Sequence, residues 1–171
     1  MVKRSWMKKF YVCVLCGLLL ITNFSIAENK EAKKSYYWLN FGPGIGPGPV
    51  DLQFIIGGSA SYQFQQNIIS ARITHQEAYM STPSKITERA ILYGRSMKSK
   101  YWLSSFAAGL SYLSGEKSYQ EKISTIGFPV EGQLFLTPLP FVGIGLYGLA
   151  NFNLKCSFTG LLLCLQIGKL R

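Results

Sequence analysis

Histidine is almost missing from this chain: His75 is the only one among 171 residues. Imidazole is the commonest general base and metal ligand near neutral pH, so its scarcity narrows the chemistry at once. Cysteine does not make up for it. Cys13 and Cys16 lie near the start, and Cys156 and Cys164 stand on what reads as one extended segment. At about 3.3 Å per residue the latter two are too far apart for a bridge. No metal site, cofactor site or disulfide is expected. Phosphate-loop chemistry is excluded too, because GPGIGPGPV (42–50) lacks a following Lys-Ser/Thr and its prolines remove backbone donors. The basic excess, +10 with 18 Lys and Arg against 8 Asp and Glu, is scattered rather than clustered, so no nucleic-acid partner is expected. Nor does any apolar run reach the roughly 20 residues of a membrane helix.

The longest such run, Phe10 to Ile21, follows Lys3, Arg4, Lys8 and Lys9 and is closed by Thr22 and Asn23. Ser25-Ile26-Ala27 then supplies small residues where a signal peptidase reads, so residues 1–27 are expected to be an export signal cleaved after Ala27. Four basic and no acidic residues leave with it, which takes the formal charge from +10 to +6. Cys13 and Cys16 leave as well, and neither has a lipoprotein context. Residues 28–35, with Glu28, Lys30, Glu31, Lys33 and Lys34, read as a polar leader.

Beyond the leader the dominant signal is alternation. Between Tyr101 and Leu113, Ser105, Ala107, Gly109 and Ser111 interleave with Trp102, Phe106, Ala108, Leu110 and Tyr112. One face is small and partly polar, the other apolar and ended by aromatics. Ten residues tilted by roughly 40° place Trp102 and Tyr112 about 25 Å apart along a membrane normal, the height of the apolar band between aromatic girdles. Eight strands follow from this period and the turn residues: 36–42, 51–64, 67–77, 86–96, 101–113, 123–136, 141–152 and 157–169. Their connections alternate in length almost throughout, as in barrels with short periplasmic turns and longer extracellular loops. The expected fold is therefore all-β, an eight-stranded antiparallel transmembrane barrel over 36–171. Leu52, Phe54, Ile56, Tyr62, Ile126, Phe128, Leu134, Ile144, Leu146, Leu161, Leu163 and Leu165 should face lipid. Asp51, Arg72, Arg89, Arg95 and Glu131 are the charges expected inside, as an ion-pair network closing the lumen. Pro129 should interrupt strand six by a bulge or local break.

On these features the chain resembles the small eight-stranded outer-membrane barrels of the OmpA and OmpX type. ILYGRS (91–96), AAGLSY (107–112) and FPVEGQLFLTP (128–138) also look like a functionally uncharacterised group of such barrels. The resemblance implies the outer membrane of a Gram-negative bacterium, with outer-membrane lipids and the barrel-assembly machinery as partners. It also implies a structural or surface-interaction role rather than catalysis. Barrels of this type commonly end in an aromatic used in assembly, where this chain has Gly168-Lys169-Leu170-Arg171. Two alternatives remain. A lipid A-modifying barrel enzyme, such as a deacylase, would build on His75, but Glu77 rather than Ser stands two residues further on, and Ser81 and Ser84 lie in a loop. A soluble, lipocalin-like periplasmic carrier would require every inward and outward assignment to be reversed.

Overall fold

The computed structural model describes residues 35–48, 51–78, 84–117 and 121–170; the expected signal and nearly all of the leader lie outside them. Eight strands run β1 (Ser35–Pro47), β2 (Leu52–Phe64), β3 (Asn67–Ala78), β4 (Lys85–Lys98), β5 (Trp102–Lys117), β6 (Glu121–Leu136), β7 (Val142–Phe152) and β8 (Phe158–Lys169). Each pairs antiparallel with the next, and β8 pairs with β1, so the sheet closes into a barrel. The turns at 65–66, 99–101 and 137–141 define one rim, here the near rim, where β1 begins and β8 ends. The opposite ends of the strands, where β1 ends and β2 begins, define the far rim.

The register fixes the barrel's shape. Followed from partner to partner, Ser35 leads through Phe64, Asn67, Arg95, Phe106, Gly132, Gly148 and Leu161 back to β1 at Ile45. One circuit therefore climbs ten residues. With eight strands this stagger tilts each by roughly 40°, and the interior is just wide enough to be filled by side chains.

Alternation sorts the residues as period 2 requires. Ile91, Leu110 and Ile126 are about 70% exposed on the outer face, while Ser105, Ala107 and Ser111 are buried inside. Tyr37, Tyr62, Tyr101, Trp102 and Phe141 ring the near rim, and Phe54, Tyr112 and Phe152 lie towards the far one. A wall of exposed aliphatic side chains between two aromatic rings is stable against lipid and not against water.

β1 departs most from the sequence-based strand limits. GPGIGPGPV reads as a long loop, yet the strand continues to Pro47 and pairs with β2 along its whole length. Pro43 lacks a donor, and the β1–β8 ladder lapses at Gly42 and Pro43 before resuming in the same register at Gly44 and Ile45. The glycines serve closure. A Cβ at Gly42, Gly44 or Gly46 would run into the backbone carbonyls of Leu163, Leu161 and Thr159 on β8. Gly44→Ala is therefore expected to weaken the seam between first and last strand by about 1–3 kcal/mol, as overpacking does. A lower urea midpoint for refolded protein in micelles would show it, and an unchanged midpoint would not.

Pro129 produces a similar lapse and no bulge. Pairing of β6 with β5 stops opposite Gly109 and Leu110 and resumes without an added residue, while Pro129 stays in register with Asn151 of β7. β5 and β6 also run further than their sequence limits. The longer excursion at the far rim is thus carried as a paired hairpin, with only 118–120 between the strands.

Candidate functional site

The lumen is filled in three levels. Towards the near rim Trp38, Ile68, Leu103 and Phe135 are fully or almost fully buried, and towards the far rim Ile55, Ile86, Leu113 and Phe158 are too. Between them lies a polar cluster centred on Arg72 of β3. Its Nη2 donates to both oxygens of Glu88 at 2.9 and 3.0 Å, and its Nη1 donates to Glu131 at 3.4 Å. All three side chains are completely shielded from solvent. Glu88 also accepts from Thr74 at 3.1 Å and from Asn151. Glu131 accepts from Gln133 at 3.0 Å and from the Tyr147 hydroxyl. Asn40 bridges Gln133 and Ser59, and Asn151 reaches Ser111. Seven of the eight strands are tied together in this way, and the carboxylates have the several donors that buried charges require.

Of the charges expected inside, Arg72 and Glu131 are brought together. Arg89 and Arg95 are not: both are exposed on the outer face of β4. The buried charge of that strand is Glu88, which the sequence reading missed because the parity of β4 was taken one residue out. Both faces of β4 mix apolar and charged side chains, so polarity alone is ambiguous there. Ile91, Tyr93 and Met97, all outward, are the signal that fixes the parity. Asp51 is half-buried in the first far-rim turn, where its carboxylate accepts from the Leu52 N–H at 2.7 Å.

His75 lies on the outer face towards the far rim. Nδ1 contacts Thr87 Oγ1 at 3.0 Å and Nε2 contacts Glu77 Oε1 at 3.2 Å, while Lys85 Nζ is 3.2 Å from the same carboxylate oxygen. The order acid, imidazole, hydroxyl is that of a nucleophilic site. An acyl-transfer site also needs donors for an oxyanion, and His75 and Thr87 are cross-strand partners whose backbone belongs to the ladder. Ser84 is buried and accepts from Gln53 at 3.3 Å, away from His75. Ser81 lies outside the described residues. Cys156 and Cys164 are both buried.

Several solved barrels superpose on this chain. Neisserial surface protein A superposes with a TM-score of 0.60 at 15% identity, over 80% of this chain and 99% of that one. Ail, the attachment invasion locus protein of Yersinia pestis, gives 0.57 at 10% identity, over 81% and 99%. The N-terminal barrel domain of Pseudomonas aeruginosa OprF gives 0.55 at 11% identity, over 81% and 99%. The fold is that of the small outer-membrane β-barrels. No protein-family model matches the sequence, and no curated protein is significantly similar to it. At such identities the likeness to other outer-membrane barrels is one of fold, and the Arg72 cluster and the His75 rim are described from this chain alone.

Proposed function

We propose that this chain is an integral outer-membrane barrel of a Gram-negative bacterium with a structural or surface-interaction role and a sealed lumen. It works through its wall and its far rim. The observation that carries this reading is the interior itself: two apolar levels enclose a buried, ion-paired charge cluster, so the barrel offers a scaffold rather than a passage. The N-terminal end of the barrel is at the near rim, so an exported chain would place that rim in the periplasm and the far hairpins outside. The β5–β6 hairpin extends beyond Tyr112 and, with Glu116, Glu121 and Lys122, presents charge of both signs to a partner. Ail is by its name an attachment protein and shares the architecture, which supports a surface role. Membrane lipids are the partners of the wall, and the barrel-assembly machinery is the partner in biogenesis. No catalytic role is assigned to the His75 rim.

The test joins location to conductance. The mature chain should stay with outer membranes without detergent, migrate differently before and after boiling, and give no steady current in planar bilayers. Recovery as a soluble periplasmic protein, or a reproducible open channel from heat-modifiable protein, would overturn the proposal.

A further inference from the structure

The outer wall is not uniform. Across β1 to β6 it forms a shallow apolar concavity of about 1390 Å³, larger than the roughly 300–1,000 Å³ that holds a drug-sized molecule. Small outward residues, Gly58, Ala60, Ala71 and Ala108, lower its floor between aliphatic side chains such as Ile73 and Leu110. Its far-rim end carries a cation. Arg89 lines the concavity and is exposed, flanked across the ladder by Ile73 and Tyr112 and followed on its own face by Ile91. Among the described residues Arg89 is in no ion pair; the nearby Glu77 is engaged by Lys85 and His75.

At the edge of the apolar wall a guanidinium costs little by itself, and its fork of N–H donors is free to meet an anion at the level of the head groups. A groove for chains with a bidentate phosphate ligand at one end is complementary to one kind of occupant. We propose that this face is a binding site for a phosphorylated, multiply acylated lipid of the external leaflet, lipid A. Arg89 takes a phosphate, and the Ala60–Ala71 floor takes an acyl chain. The site rests on the orientation proposed above, with the far rim outside.

The experiment titrates bisphosphorylated lipid A into heat-modifiable protein in micelles, with bound lipid counted by native mass spectrometry. Wild type should bind, and Arg89→Gln should bind about tenfold more weakly, the scale of one charge-assisted contact. Ala71→Phe, which fills the groove with an apolar side chain, should weaken binding similarly. Lys169→Gln, exposed at the near rim, should leave it unchanged. A further arm needs no variant: dephosphorylated lipid A should bind wild type about tenfold more weakly than the phosphorylated form. Equal binding by wild type, Arg89→Gln and Ala71→Phe would overturn the site, as would indifference to the phosphates or a protein dimer occupying this face. Those results would leave the membrane barrel standing if the protein still fractionates with outer membranes. Loss of that fractionation would instead remove the reading on which the site rests.

Discussion

Arg72→Met is expected to destabilise the folded barrel by about 3–5 kcal/mol, the cost of breaking a buried ion pair from one side. Methionine roughly fills the space, so the loss is electrostatic rather than a cavity. Glu88 then loses both contacts from Nη2, and Glu131 loses its contact from Nη1. Two carboxylates remain in a lumen sealed by Trp38 and Phe135 on one side and Ile55 and Leu113 on the other. Their other donors, Thr74 and Asn151 for Glu88, Gln133 and Tyr147 for Glu131, cannot replace a full positive charge. Urea titration of refolded protein in micelles, followed by tryptophan fluorescence, measures the loss. The triple variant Arg72→Met/Glu88→Gln/Glu131→Gln separates charge from shape: it should recover much of the stability, because the unpaired charges are gone while the volumes persist. A single-variant loss under about 1 kcal/mol would mean that the cluster is not a desolvated unit.

What the sequence disclosed depends on how unlike the two faces of a strand are. In β5 Ser105, Ala107 and Ser111 stand on one face and Trp102, Phe106, Leu110 and Tyr112 on the other, so a period of two assigns these side chains, and the structure agrees. β2, β7 and β8 behave the same way. β4 does not, since Thr87, Arg89 and Arg95 face outward while Ile86, Ala90 and Leu92 face in. Composition cannot orient such a strand; only its neighbours can. The end of β1 was hidden for a different reason. Proline and glycine ordinarily end strands, but here the glycines admit the close approach of β8 and the prolines cost only a short lapse in the ladder.

The central cluster was legible as chemistry and not as pairing. Charges in a narrow lumen must be neutralised, which follows from elementary solvation. Which charges meet depends on closure: Arg72 and Glu131 are 59 positions apart, and Asn151 and Glu88 are 63 apart. The stagger of the barrel brings them to one level, and that stagger is set by loop lengths and register rather than by any local motif. His75 has the parity opposite to inward Arg72 and so faces out, yet its partner Thr87 comes from the next strand and is visible only once β3 and β4 are in register.

Ile91→Arg should cost about 2–4 kcal/mol of folding free energy in lipid vesicles, the range for a cation near the middle of the apolar band. Ile91 is 70% exposed on the outer wall, with Ala71 and Leu110 as its cross-strand partners. It stands only two residues from Arg89 on the same face. The native arginine, beside Tyr112 of the far aromatic ring, is at a depth where the cost falls towards about 0–1 kcal/mol. Moving the same charge two residues inward thus measures the depth profile of the wall directly. Urea-dependent folding into phosphatidylcholine vesicles provides the measurement, with Ile91→Leu as the control for shape. In a water-soluble barrel the same substitution would replace an exposed aliphatic side chain by a solvated one, leaving stability unchanged or raising solubility. That outcome would put water, not lipid, against the wall.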